Sequence, residues 1–417
     1  MELCLVNILI MRIPLAAAIA LVIVSVLIDI YILCDVRKYS VRRRKAGTWI
    51  YGITTLLCWG LLAAILCMPK RSADHSINPL MWMLFSYLSI YIAKIVYCLF
   101  SLIGRIFTRR GRFNYGIAAG AVAGSLLFAV LWVGALYTRR VIETTNVEIS
   151  SARLPKSFDG FRVLQFSDIH VGTWGTDTTF ISKLVDSINS SRADVILFTG
   201  DIVNRRSSEL DPFISVLRRL RAPHGVYAVF GNHDYGGYVE WDEPDGGNRD
   251  AARLDSLMKG MGWKTLKNQT DFIRKDNDSI VLIGVENWGD PPFNQLGDLG
   301  KSYPEDPNHL KGLNDNMFKI LMTHNPAHWA SVVKKISNID LSLSGHTHAM
   351  QCMLKAGDWK WSPSQYRYKE WGGLYTDTAT DGSPMNLYVN IGAGEVGFPA
   401  RIGAARPEIT VITLRSK

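Results

Sequence analysis

Two patterns of apolar residues divide the chain. The first is four long, nearly unbroken runs: Ile13–Cys34, Thr48–Met68, Leu80–Ile106 and Gly116–Tyr137. A helix needs about 20 apolar residues to cross a bilayer, and all four reach that length. Buried helices of a soluble core are usually shorter and keep a polar face. The second pattern begins at Val141. Val141–Ser150 alternates loosely and reads as a strand. Short apolar runs follow at Val163–Phe166, Val195–Thr199, Val226–Phe230, Ile320–Thr323 and Leu341–Ser344. Bounded by polar residues, such runs read as buried strands. Thr178–Asn189 and Phe213–Leu220 have helical spacing between the early ones. Met258–Gly262 suggests another helix, and Trp263–Asn268 and Ile280–Val285 further strands. Leu387–Ile391 and Ile409–Leu414 read as the last two strands. Tyr235–Asp250 and Asn287–Asn316 read as loops. A strand–helix–strand order predicts an α/β domain. The expected organisation is a four-helix transmembrane domain over residues 1–140, then an α/β domain over 141–417.

Charge follows the same division. The 417 residues carry 46 Lys+Arg and 37 Asp+Glu, a formal net charge of +9. Residues 1–140 hold 16 basic and 4 acidic side chains, leaving 30 basic and 33 acidic in the remainder. The basic excess is confined to the membrane part, so nucleic acid is not an expected partner; the lipid bilayer is. The first loop holds Arg37, Lys38, Arg42, Arg43, Arg44 and Lys45, and the third Arg109, Arg110 and Arg112; the second holds only Lys70 and Arg71. The positive-inside rule then places the first and third loops in the cytoplasm and the large domain outside it. Arg139 and Arg140, after the fourth run, pull the other way. Asp29 and Lys94 fall inside the runs. The expectation is that Asp29 sits near the interface and Lys94 snorkels, with a mutual ion pair as the alternative. Five of the six cysteines (Cys4, Cys34, Cys58, Cys67, Cys98) lie in or beside the runs. Cys352 is alone in the second part, which therefore has no internal disulfide.

The strands of the second part end in residues that bind metals. After Val163–Phe166 come Asp168 and His170; after Val195–Thr199, Asp201; after Val226–Phe230, Asn232 and His233. His324 follows Ile320–Thr323, and His346 and His348 follow Leu341–Ser344. Sites in α/β sheets form at these carboxyl ends. Five of the nine histidines are in this set. Imidazoles with carboxylates suit Zn, Fe or Mn, and an Asn oxygen suits a harder ion. One carboxylate on a tight Gly turn can bridge two cations about 3.5–4 Å apart, which would flank a phosphate and activate a water.

The ordered blocks Asp-x-His, Gly-Asp, Gly-Asn-His-Asp, His and Gly-His-x-His resemble those of the calcineurin-like metallophosphoesterases. The likeness covers roughly residues 150–417 and is nearest to YkuE-like phosphoesterases and transmembrane proteins with a metallophosphoesterase domain. Leu343-Ser344-Gly345-His346-Thr347-His348 and the tail containing Arg406-Pro407-Glu408-Ile409-Thr410 carry it further. The resemblance implies an α/β/β/α fold, two mixed sheets sandwiched by helices. It implies two divalent ions (Mn, Fe or Zn). Asp168, His170 and His348 would hold one, and Asn232, His324 and His346 the other. Asp201 would bridge both, and His233 would contact the phosphate and protonate the leaving oxygen. The reaction would be hydrolysis of a phosphoester by a metal-bridging hydroxide. Protein phosphatases carry Gly-Asp-x-Val-Asp-Arg-Gly, where this chain has Gly200-Asp201-Ile202-Val203-Asn204-Arg205-Arg206. A phosphodiester or pyrophosphate is therefore the expected substrate. The short stretch between the last apolar run and Asp168 makes a lipid-linked envelope substrate natural. The competing reading is a membrane sensor that binds metal or ligand without turnover. The sequence leaves the oligomeric state open.

Some residues stay outside these assignments. The chain has Ala349-Met350-Gln351 where such relatives commonly carry Gly-Gly-Gln, a change in the pocket wall. Arg205, Arg206 and Arg401 match phosphate geometry but are expected to be surface arginines. Trp288, Trp361, Tyr366 and Trp371 are expected to pack in the core or its rim rather than line a groove. His75, His224, His309 and His328 read as structural or loop residues.

Overall fold

The computed structural model describes residues 15–39, 44–67, 77–109, 112–289, 295–303, 316–379 and 381–417. His75, His309, the ends of the first two apolar runs and much of the 287–316 loop lie outside them. The chain forms two compact units, one reaching Leu136, the other comprising Tyr137–Val396 and Arg401–Lys417.

The first unit contains four helices: α1 (Leu15–Tyr39), α2 (Arg44–Cys67), α3 (Ile77–Phe107) and α4 (Tyr115–Leu136). Each is long and apolar enough to cross a membrane. Large apolar side chains such as Leu27, Leu56, Leu57, Val122 and Leu126 stay exposed, as a lipid-facing surface requires. Polar groups turn inward instead. The Asp29 carboxylate accepts hydrogen bonds from Tyr51 Oη (2.7 Å), Trp59 Nε1 (3.1 Å), Tyr91 Oη (2.8 Å) and Lys94 Nζ (2.7 Å). Asp29 and Lys94 are thus an ion pair inside the bundle, and the snorkelling expectation is overturned. The reason is the cost of an unpaired charge at that depth, which four donors on α2 and α3 remove. Asp35 is similarly held by Ser101 Oγ (2.7 Å) and by Arg105. On α4, a Cβ at Gly120 would lie 2.8 Å from the Tyr97 carbonyl, and one at Gly124 2.7 Å from that of Ala93. Only glycine permits this approach of α4 to α3.

The second unit is built on two six-stranded sheets. Its strands are β1 (Glu143–Ser151), β2 (Arg162–Phe166), β3 (Val195–Phe198), β4 (Val226–Ala228), β5 (Trp263–Thr265), β6 (Gln269–Lys275), β7 (Asp278–Gly284), β8 (Lys319–Met322) and β9 (Leu341–Ser344). They continue as β10 (Cys352–Ala356), β11 (Trp359–Trp361), β12 (Gly373–Thr378), β13 (Pro384–Val389), β14 (Ile402–Gly403) and β15 (Glu408–Ser416). One sheet runs β1-β15-β2-β3-β4-β5, the other β12-β13-β9-β8-β7-β6; β11-β10-β14 form a small third sheet. The β2–β3–β4–β5 and β7–β8–β9–β13 pairs are parallel; β15–β2, β6–β7 and β12–β13 are antiparallel.

Side-chain alternation makes three apolar layers. Leu164, Phe166, Ile196 and Phe198 face outward. There they meet Phe180, Ile181, Leu184, Val185 and Ile188, the apolar stripe of helix α5 (Thr179–Ser190). Their alternates Val163, Val195 and Leu197 face Ile280, Leu282, Ile320, Met322, Leu341 and Leu343 between the sheets. Val281, Ile283, Leu321, Leu387 and Val389 cover the far side with Trp329 and Val333. The α/β/β/α arrangement follows. One expected loop is partly a helix, α6 (Gly246–Gly260). Its Gly-Gly start reads as a loop, but Ala251, Leu254 and Met258 share a buried face, and that packing outweighs the helix cost of glycine, roughly 1 kcal/mol per residue. The expected helix at Phe213–Leu220 shrinks to Ile214–Leu217 behind a 3-10 segment that contains Pro212.

Candidate metal centre

The eight candidate residues follow the carboxyl ends of β2, β3 and β4 in one sheet and of β8 and β9 in the other. Gln165 joins those ends across the interior, donating to Thr199 Oγ1 (3.1 Å) and to the Ser344 carbonyl (2.9 Å). Two groups of ligand atoms result: Asp168, His170 and His348; and Asp201, His324 and His346. His348 Nε2 is 3.2 Å from Asp168 Oδ1 and 3.1 Å from His170 Nε2. His346 Nδ1 is 3.2 Å from His324 Nε2. Asp201 Oδ2 stands between the groups, 3.6 Å from His170 Nε2 and 3.2 Å from His324 Nε2.

Backbone carbonyls fix two of the imidazoles. His170 Nδ1 lies 3.1 Å from the Val203 carbonyl and His324 Nδ1 2.8 Å from that of Thr199. A carbonyl only accepts, so each Nδ1 carries a proton and each Nε2 faces the centre. This second bond is how metal-ligating histidines are oriented. Ring nitrogens packed this closely against two carboxylates favour a positive charge among them. Asn232 fits the same demand. Its Nδ2 donates to Tyr238 Oη (2.7 Å), which turns Oδ1 away, and that buried Oδ1 has no hydrogen-bond partner. The donor set of carboxylate, imidazole and amide oxygens is one that Mn, Fe or Zn accepts.

Electrostatics agree with the geometry. Burial works against Asp168 and Asp201, yet the surrounding imidazoles hold both carboxyls below the usual range. Burial, with His324 adding to it, pushes His346 down to about 3. At His324 burial opposes the charge, but Asp201 overrides it and pushes the imidazole up to about 9.

His233 sits beside the two groups. Its backbone N–H donates to Asp201 Oδ1 (2.8 Å). Its Nδ1 donates to the Asn204 carbonyl (2.6 Å), and its ring stacks on Tyr238 with centroids 4.1 Å apart. Asp234 ties the loops together. It accepts from the N–H groups of Asp201 (2.8 Å), Ile202 (2.9 Å), Val203 (3.3 Å) and Gly231 (2.9 Å). Sequence reasoning saw Asp234 only as a motif letter. It missed Tyr238, in a Gly- and acid-rich loop, and Tyr368, whose Oη is 2.8 Å from His346 Nε2. Nothing in the spacing of either tyrosine marks it.

The three arginines are not surface residues. Arg205 is buried, with Nε 3.5 Å from Glu209 Oε1, and Arg206 is half-buried. Arg401 is fully buried and donates to the carbonyls of Ile391 (3.1 Å), Gly394, Ala405 (3.3 Å) and Arg406 (3.3 Å). It braces the loop whose Gly394 N–H binds the Asp168 carbonyl at 2.7 Å. Trp371 packs against Ala349 and Ile391, and Trp288 stacks on buried His328. Tyr366 is 79% exposed; the tyrosine that reaches the centre is two residues further on.

Comparison with known proteins accords with this geometry. The family described as Calcineurin-like phosphoesterase matches residues 161–350. That described as Probable Calcineurin-like phosphoesterase, transmembrane domain, matches residues 11–139. The chain is 32% identical over 310 residues to the uncharacterized metallophosphoesterase YkuE of Bacillus subtilis, covering 74% of this chain and 98% of that one. It is 29% identical over 294 residues to the transmembrane protein with metallophosphoesterase domain of Bos taurus, covering 68% and 60%. For the protein of that name in Danio rerio the figures are 28% over 349 residues, 79% and 72%.

Proposed function

The chain belongs to the calcineurin-like phosphoesterase family as a metal-dependent hydrolase with a transmembrane domain, and from that premise we propose a two-metal phosphodiesterase or pyrophosphatase acting at the membrane surface. The observation that carries the two-metal reading is Asp201 Oδ2, within 3.6 Å of a ligand nitrogen in each group. Asp168, His170 and His348 would hold one ion, Asn232, His324 and His346 the other, with Asp201 shared. When bound, a pair of divalent ions supplies a water-derived nucleophile near neutral pH and neutralises phosphate charge.

The side chains account for the rest. Carbonyls of Val203 and Thr199 hold His170 and His324 in one tautomer. Tyr238 orients Asn232 and fixes the plane of His233. With Nδ1 bound to the Asn204 carbonyl, His233 has Nε2 left to meet the phosphate and, once protonated there, to give that proton to the leaving oxygen. Arg205 and Arg401 are engaged elsewhere, which leaves less fixed positive charge for a phosphate. That favours a singly charged diester over a doubly charged monoester.

Only six residues separate Leu136, the end of α4, from Glu143, the start of β1. So short a connection suits a substrate carried by the bilayer, such as a lipid-linked phosphate of the envelope. The loop charges favour the extracytoplasmic side. The test is hydrolysis of bis-p-nitrophenyl phosphate by purified protein with Mn²⁺. Asp201→Asn and His233→Ala should each lower kcat by about 10²-fold or more. Equal rates in wild type and both variants would sink the reading.

A further inference from the structure

Arg139 lies three residues beyond the end of α4, yet it is almost completely buried. Its Nη2 donates to Glu395 Oε2 at 3.0 Å, and both side chains are shielded from water. The guanidinium also lies 4.0 Å from the ring of Trp174. A buried ion pair is a poor source of stability, because desolvation cancels much of the attraction. Its consequence here is geometric. The Glu395 carbonyl accepts from Thr173 Oγ1 (2.6 Å). Thr173 and Asn204 then bond twice, Thr173 N to Asn204 Oδ1 (3.0 Å) and Asn204 Nδ2 to Thr173 Oγ1 (3.0 Å). The Asn204 carbonyl holds His233 Nδ1 at 2.6 Å. The path from the segment after α4 to His233 has no gap, and every bond on it is 3.0 Å or shorter. Trp174 and Thr173 are neighbours in one 3-10 turn, so Arg139 grips that turn on two sides.

We infer that Arg139 is a positioning residue for His233, acting through Glu395, Thr173 and Asn204. The inference rests on the reading of His233 as the group that handles the leaving oxygen. The segment that leaves the last apolar helix then sets the catalytic geometry rather than serving only as a tether. A displacement of about 1 Å in such a group costs up to 10²-fold in rate.

The test uses the full-length protein with Mn²⁺ and bis-p-nitrophenyl phosphate. Arg139→Gln/Glu395→Gln removes the ion pair, while Arg401, whose Nε is 4.0 Å from Glu395 Oε1, keeps its carbonyl acceptors. Thr173→Val cuts the path in its middle and serves if the double variant fails to fold. Each should lower kcat about 10- to 100-fold, with KM and bound metal per chain close to wild type. On a His233→Ala background neither should cause further loss, and in the otherwise unchanged protein Thr173→Ser, which keeps the hydroxyl, should retain the wild-type rate. Losses that persist undiminished on that background, or folded variants with wild-type kcat, would overturn the inference. A wild-type rate in His233→Ala alone would overturn the underlying reading as well, and the single variant tells the two failures apart.

Discussion

Left-handed backbone is concentrated at the centre. Asp168 (φ 52°), His170 (φ 45°), Asp201 (φ 60°), His346 (φ 74°) and His348 (φ 50°) all adopt it. Each such residue costs roughly 1–2 kcal/mol, and strain of this kind gathers where side chains must be aimed. Strands alone would point neighbours to opposite faces. The left-handed residues break that alternation and bring both members of Asp168–His170 and of His346–His348 to one side. The same conformation runs on through Ala349 (φ 50°) and Met350 (φ 43°). Met350 is half-exposed and is not a candidate ligand. Met350→Gly should therefore relieve strain, raising stability by about 0.5–1 kcal/mol after the entropy cost of glycine. Thermal melting of the metal-loaded protein checks this, and a fall in Tm would contradict it.

Among the elements, the transmembrane helices are specified by polar contacts as much as by apolar ones. Asp29 on α1 draws Tyr51 and Trp59 from α2 and Tyr91 and Lys94 from α3. Removing one charge strands the other, a loss of about 3–5 kcal/mol for a buried pair. Asp29→Leu and Lys94→Leu should each reduce the yield of folded protein in detergent. The double variant should be better tolerated than either single one; a double variant worse than both would refute the pairing. The helix boundaries were largely legible in the sequence, because length and uninterrupted apolarity decide them. Strands β2, β3, β8 and β9 were legible for the same reason. Of α6 only the end was read, at Met258–Gly262, since its packing face competes with a Gly-Gly start that local propensity reads as a loop. Strands β10 to β12 were missed because their residues are mostly exposed and carry little apolar pattern.

For the molecule as a whole, the two sheets meet at a cluster of carboxylates and imidazoles that could hold a metal ion. Metal should therefore stabilise the fold as well as enable turnover. At a free Mn²⁺ concentration of about 100 times Kd, the gain is roughly 2.7 kcal/mol. Chelation should lower Tm, Mn²⁺ should restore it, and Asp201→Ala should abolish most of that shift. An unchanged Tm on chelation, with metal shown to leave, would count against the arrangement.

The sequence by itself determined the apolar helices, the order of strands and the eight residues that gather at their ends. Periodicity and spacing are local, so they survive in one dimension. Only the tertiary structure decided that Asp29 and Lys94 pair, that Arg205 and Arg401 are buried, and that Tyr238, Tyr368 and Asp234 support the centre. It alone links Arg139 to His233. These are contacts between residues up to 256 positions apart. Their partners are chosen by burial and by the need to satisfy every buried polar group, neither of which leaves a mark on neighbouring letters of the chain.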